Sequence, residues 1–415
     1  MLVHSHYKSH SICSLCVRRS TGSQKMFHSD LVINGYFQLQ KHTFQRLGID
    51  MTTRNASITH IYFLALQIVA LVTITMPMVI YSCQHLQEIA EVTNAMAPFM
   101  QATITLWKIW RVIYRRKMMA ELVEDIYSVS TKATKQELTH LRRENNRERI
   151  MNTFYYYSVF NTGVLALIAP VLVSFIQYLR LGEFSYIVVL KATYPIELAR
   201  PLNYVLIWLW SAIAIYGVIY GSVSVDSLYS WYIHNLVGNF KILQTKFVTA
   251  ELIAEVSERR ASIYYCLGYH QRLITMSEQL NIIYQPIVLV QFSLNALQIC
   301  FLAYQIGSGD VAVVDLPFLF LFMTSVGIQL MIYCYGGQYL QNESENVAKF
   351  ISQTINSTIW PIDLRKVLLF SMARAQRPCK LTGIFFDVDL RLFLWVWRTA
   401  GSYVTLLRSV DQQSS

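Results

Sequence analysis

Apolar residues gather in seven long windows, at about 61–82, 89–110, 154–176, 204–225, 286–306, 316–335 and 385–407. A helix rises about 1.5 Å per residue, so each window is close to the length that crosses roughly 30 Å of hydrocarbon. The pattern predicts an all-α membrane protein with seven transmembrane helices. Two windows carry polar interruptions: the second holds Glu91, Asn94, Pro98, Gln101 and Lys108, and the seventh holds Arg391 and Arg398. Polar groups at membrane depth border protein or water rather than lipid, so these two spans are expected to face a neighbour or a hydrated path.

Helical periodicity continues between the windows. Met119, Leu122, Val123 and Ile126 recur at three- and four-residue steps, as do Val237, Phe240, Leu243 and Phe247, and later Val347, Phe350, Ile351 and Ile355. These stretches predict helical extensions of the spans rather than separate domains. Trp360-Pro361 closes the last of them, and a new helix is expected from about Asp363. No internal repeat, low-complexity tract or Gly/Ser linker divides the chain. The expected layout is a cytoplasmic segment 1–60, six spans with their loops over 61–335, a cytoplasmic helical region 336–384, and a last span with a short tail over 385–415.

Basic residues orient this layout, because loops rich in Lys and Arg stay cytoplasmic during insertion. Segments 1–60, 111–153, 226–285 and 336–384 hold 7, 10, 5 and 6 of them, 28 in all, whereas segments 83–88, 177–203, 307–315 and 408–415 hold 0, 3, 0 and 1, or 4 in all. Seven spans then place the N-terminus inside and the C-terminus outside. Within the first thirty residues the one apolar run, Ile12 to Val17, is short and broken by Ser14, so no signal peptide is expected. Sequons at Asn55, Asn342 and Asn356 all fall in segments read as cytoplasmic and are expected to stay unglycosylated.

Composition narrows the function. The chain is 54% hydrophobic and 14% charged, too few charges to clothe a large soluble domain. A net charge of +10 would raise nucleic acid as a partner, but the basic residues sit between the apolar windows, so none is expected. Seven cysteines are scattered without a disulfide framework and are read as reduced thiols. Cys13 and Cys16, with His4, His6 and His10 upstream, lack a second ligand pair at zinc spacing, so no metal is expected. Signatures of phosphate, zinc, serine-hydrolase and dinucleotide sites are absent, and His234 and His270 stand alone in cytoplasmic segments. Neither an enzyme nor a cofactor is expected.

A G-protein-coupled receptor is the other seven-span class. It requires the opposite orientation, and here segment 177–203 has no cysteine while the last span has no NPxxY-like sequence. The outer halves of the spans instead mix aromatic and Met side chains with hydroxyls. Met96, Phe99, Met100, Leu172, Tyr204, Trp208, Ser211, Phe301, Tyr304 and Phe322 are candidates for an apolar pocket in which a few polar groups orient a small ligand. Helix packing and the interfacial aromatic belt explain the same residue types, and for any single one of them packing is the favoured reading.

A looser pattern occupies the last third: Tyr339, Ser344, Trp360-Pro361, Leu368, Met372, Gln376, Pro378, Leu381, Gly383, Phe386, Leu390, Phe393, Ser402, Tyr403 and Thr405. Joined to the seven-span layout and the chain length, it resembles the insect odorant receptor family. The resemblance implies a ligand-gated, non-selective cation channel in the plasma membrane of an olfactory neuron, built as a hetero-oligomer, a tetramer, with a shared co-receptor subunit. Segment 226–285 is shorter than the corresponding insertion of the co-receptor, so this chain looks like the odorant-tuned partner. Gustatory relatives end their last span differently, with Thr-Tyr, an apolar run and Gln-Phe, where Ser402-Tyr403 here leads into Val404. By the same resemblance Ser402, Leu406 and Ser409 line the pore, with Leu406 at its gate, and Tyr339, Trp360, Leu368 and Met372 belong to a cytoplasmic subunit anchor. Asp387, Asp389 and Arg391 would then border the inner mouth. The ligand implied is a small volatile organic molecule, held within the second to sixth spans.

Overall fold

The computed structural model describes residues 37–49, 58–130, 133–182, 184–198, 200–308, 314–355 and 361–414, with side chains to 307, 353 and 405 in the last three stretches. Its described residues form nine α-helices: α1 (Gln38–Leu47), α2 (Ile58–Gln84), α3 (Ile89–Ser130), α4 (Leu138–Leu181), α5 (Pro201–Glu251), α6 (Val256–Ser308), α7 (Leu316–Ile355), α8 (Ile362–Ala375) and α9 (Leu390–Ser414). Five of them, α2, α4, α5, α6 and α7, are long and apolar enough to cross a membrane. The other two long helices, α3 and α9, coincide with the two spans marked as polar in the sequence.

The helices run through the boundaries of the apolar windows without a break. α3, α4, α5, α6 and α7 extend to 42, 44, 51, 53 and 40 residues, roughly twice what a bilayer requires. The extra turns are the periodic stretches between the windows, and they bundle beyond the spans. α5 is the axis of that bundle. Every residue from Ile219 to Phe240 is buried, enclosed by α3, α4, α6 and α7 with α1 and α2 alongside. A helix covered on all sides carries no amphipathic stripe. Close packing is helped by Ser222, Ser224, Ser227 and Ser230, whose side chains are small, and by Gly221 and Gly238.

Polar knots fix this bundle. Asp226 of α5 accepts both contacts of the Lys108 ammonium, at 2.6 and 2.9 Å, and further hydrogen bonds from Tyr155 (2.7 Å), Gln329 (2.7 Å) and Tyr333 (2.6 Å). One buried carboxylate thus ties α3, α4 and α7 to the central helix. Such a pair is tolerable at this depth because its lone pairs are filled by other donors. Farther along α5, Lys241 donates to Glu144 (2.9 Å) and to the Tyr339 hydroxyl (2.7 Å), which itself donates to Glu144 (2.9 Å). Burial pushes His270 down to about 4 and lowers His234, holding both neutral inside the packing.

The last apolar window is read from the sequence as starting near 385, but α9 begins five residues later, at Leu390. Residues 381–388 instead form a tight reversal, with hydrogen bonds from Gly383 N to Phe386 O (2.8 Å) and from Val388 N to Leu381 O (2.8 Å). This reversal lies against α7 at Gly337, where a Cβ would stand 2.1 Å from the Val388 carbonyl oxygen. Asp389 then caps α9 by accepting from Leu392 N at 2.9 Å. α8 starts at Ile362 behind Pro361, next to the expected Asp363, and packs back on α7.

Candidate functional site

A cavity of about 100 Å³ opens between α2, α3, α4, α5 and α7, next to the residue 190 segment. Its wall is almost wholly apolar: Leu71, Ile74 and Met78 from α2, Val159 and Ala166 from α4, Ala214, Ile215 and Val218 from α5, Phe318, Phe322 and Val326 from α7. Pro98 and Ala102 close the α3 side. An apolar cavity of roughly 150 Å³ is enough to take up benzene, so this space suits a small organic molecule with modest side-chain adjustment. Such a ligand would be held mainly by the apolar area it removes from water, worth about 25 cal/mol per Å².

Five polar residues also line it, Gln101, Tyr155, Thr162, Ser325 and Gln329. Tyr155 and Gln329 form its floor and belong to the Asp226 knot, Gln329 Nε2 donating to the Tyr155 hydroxyl (2.9 Å) as well as to Asp226. Ser325 and Thr162 approach to 3.0 Å and share Ser158 as a neighbour. The cavity therefore rests directly on the group that locks four helices together.

Of the ten pocket candidates, Phe322 lines this cavity. Phe99 and Phe301 are half-buried and pack on the core, Met96 is half-buried, and Met100 and Tyr304 are buried on α3 and α6. Tyr204 donates to the Ile187 carbonyl (3.0 Å) within a ring cluster with Phe184 and Tyr186, and Trp208 donates to the Leu167 carbonyl (3.1 Å). Ser211 is buried on the same helix, whereas Leu172 is 51% exposed on the outer side of α4. The other nine lie outside the lining of this cavity. A different signal was present in the sequence: the lining residues Ser325 and Gln329, and the lining Thr162 with its neighbour Ser158, recur four residues apart inside apolar windows.

α9 shows one exposed face. Arg391, Leu394, Trp395, Arg398, Ser402 and Thr405 are exposed, while Val396 and Ala400 are buried against α6 and α7. Ser402 donates to the Arg398 carbonyl at 3.2 Å; the side chains of Leu406 and Ser409 lie outside the described residues. In the expected anchor, Leu368 is buried, Met372 packs on the core and Tyr339 sits in the Glu144 knot, with Trp360 outside the described residues. Phe370 and Phe385 stand 79% and 86% exposed in the same region. Asp387 pairs with Lys380 at 2.5 Å. The described cysteines, Cys83, Cys266, Cys300, Cys334 and Cys379, are free thiols, and Cys13, Cys16, Asn55 and Asn356 lie outside the described residues.

Comparison with known proteins gives the same picture at the level of the whole chain. The sequence profile of a family described as 7tm Odorant receptor matches residues 88–401. Odorant receptor 45a of Drosophila melanogaster is 30% identical over 385 residues, covering 91% of this chain and 99% of that protein. Odorant receptor 47a of the same species is 26% identical, covering 91% and 100%. Among solved structures, the insect olfactory receptor OR5 from Machilis hrabei superposes with a TM-score of 0.77 at 15% identity, over 92% of this chain and 99% of that one. The same receptor in complex with eugenol gives a TM-score of 0.75 at 17% identity, over 90% and 99%.

Proposed function

Since the chain belongs to the insect odorant receptor family, a multi-pass membrane receptor and not an enzyme, we propose that it is the odorant-binding subunit of a ligand-gated cation channel. A small volatile molecule binds in the cavity above Tyr155 and Gln329, and the last helix of each subunit lines the pore. The observation that carries this reading is the apolar cavity enclosed by five helices and resting on the Asp226 knot. Occupying it changes the packing of α4 and α7 against α5, and a ligand gates only if that change favours the open arrangement.

Assembly with a co-receptor has its own support. Arg398, Ser402 and Thr405 are exposed on one face of α9, and a membrane helix with such a face is costly in lipid but suited to a water-filled pore shared between subunits. In that arrangement Leu406 forms the apolar constriction and Ser409 lies near the outer mouth. Phe370 and Phe385, with Trp360 nearby in sequence, supply apolar surface for the cytoplasmic anchor contact. The segments 1–60, 111–153, 226–285 and 336–384 lie inside the cell, and seven helices cross the membrane.

Currents recorded from cells expressing this chain with and without the co-receptor, across a panel of volatiles, test the proposal. Responses are expected from the pair and not from the chain alone. Ala166→Phe, which fills the cavity from α4, should abolish them while surface labelling stays normal. Undiminished responses in that variant would move the ligand elsewhere.

A further inference from the structure

The hydrogen atoms around the cavity are already committed, and following them one by one shows which ligand the site lacks. Thr105 donates to the Gln101 backbone carbonyl at 2.8 Å. Its Oγ1 lies 2.8 Å from Ser222 Oγ, so with the Thr105 proton spent, Ser222 is the donor of that bond. Ser222 Oγ in turn accepts from Gln101 Nε2 at 3.2 Å. In this chain of donors the Gln101 carboxamide presents its nitrogen to Ser222 and leaves its oxygen free.

The other lining groups are spoken for in the same way. Thr162 reaches the Ser158 carbonyl (2.8 Å) and Ser325 the Leu321 carbonyl (2.8 Å), and the two hydroxyls lie 3.0 Å apart, so both have partners within the wall before any ligand arrives. Tyr155 donates to Asp226, and both Nε2 protons of Gln329 go to Asp226 and Tyr155, while its Oε1 accepts from Asn295 at 3.3 Å. Gln101 lines the cavity, and its Oε1, on a residue 9% exposed, is left without a partner. A buried acceptor without a donor is costly, and a ligand proton can recover that cost. The carboxamide also keeps one N–H beyond its bond to Ser222, so its edge offers an acceptor beside a donor.

Resting on the cavity as the ligand site, we propose that this receptor is tuned to small alcohols or phenols, whose hydroxyl donates to Gln101 Oε1 while the hydrocarbon part fills the apolar wall. A hydroxyl both donates and accepts and so matches the carboxamide edge. An aldehyde, ketone, ester or ether only accepts and so leaves Gln101 Oε1 unpaired. Selection by such a group is stronger than selection by size, because a site built to bond a hydroxyl pays for its absence.

Matched sets test this in cells expressing the chain with the co-receptor: benzyl alcohol, benzaldehyde, benzyl methyl ether and toluene, and hexanol, hexanal and hexane. In at least one set the alcohol is expected to act at about tenfold lower concentration than every matched partner, as expected from one hydrogen bond, about 1.4 kcal/mol. Gln101→Met should cancel the preference by weakening the alcohol alone, and Thr162→Val should leave it standing. Sets in which no alcohol outperforms its partners overturn the proposal, even if the Gln101 variant fails to reach the surface. Loss of all responses in Ala166→Phe together with such a flat ranking would sink the hydroxyl preference and keep the site. Responses untouched by Ala166→Phe would sink the site itself, and the preference with it.

Discussion

Glu148 sits on α4 beneath the N-terminal helix, buried and accepting from Gln40 Nε2 at 2.7 Å and from Asn152. Burial pushes its carboxyl from an ordinary 4.5 up to about 8, and the two hydrogen bonds offset only part of that. The folded protein therefore keeps a proton that the unfolded chain releases from about 4.5 upward. Stability contributed by this group is full below about 4.5, declines as pH rises toward about 8, and levels off above it. Glu148→Gln keeps the shape and removes the charge, so the melting temperature of the purified protein should vary less with pH across this interval. A variant whose pH profile overlays the wild type would show that Glu148 titrates normally. No sequence feature pointed to this residue: in ENNRER it reads as one charge among several, and only the packing of α1 onto α4 and α5 shuts out water.

Among elements, the two polar interruptions of α3 that matter most are explained by partners far along the chain. Lys108 meets Asp226, and Gln101 reaches Ser222. The knot predicts an order of damage. Asp226→Asn strips the ammonium of its counter-charge, a change that costs about 3–5 kcal/mol for a buried pair. Lys108→Met leaves the carboxylate with three neutral donors, Tyr155, Gln329 and Tyr333, and should cost less. Thermal unfolding in detergent, together with surface delivery in cells, reads this directly; a Lys108→Met variant as damaged as Asp226→Asn would mean that the neutral donors contribute little. Periodicity revealed the long helical extensions, yet it could not rank them. The stretch from Ile219 to Phe240 looks like an ordinary polar-flecked helix, and its place at the axis follows from six other helices closing around it.

For the molecule as a whole, orientation is the property with the largest consequences. If the charge bias of 28 basic residues against 4 governs insertion, the exposed Asn342 on α7 lies in the cytoplasm and carries no glycan in cells. Treatment with a glycosidase should then leave the electrophoretic mobility of the protein unchanged, whereas a sequon engineered into the 177–203 loop should shift it. Glycan on Asn342 would invert the topology and remove the pore reading of α9. Orientation also decides which end of the cavity faces the outside. The acidic and basic knots at Glu144, Lys241 and Tyr339 would then lie within the cytoplasmic bundle, away from the arriving odorant.

The sequence by itself determined the all-α membrane class, the place of its long helices and the polar residues that interrupt two of them, because hydrophobic length and helical periodicity are local properties that each segment carries alone. It also carried enough of its last third to be recognised as an odorant receptor. Tertiary structure alone decided which side chains surround the cavity. Gln101, Tyr155, Thr162 and Ser325 come from three helices, and no spacing within any one of them encodes that they converge. Of the aromatic residues chosen from the sequence, which share the composition of a pocket, Phe322 lines this cavity. A cavity exists where the closest packing of several helices fails, and that failure is a property of their joint arrangement rather than of any segment.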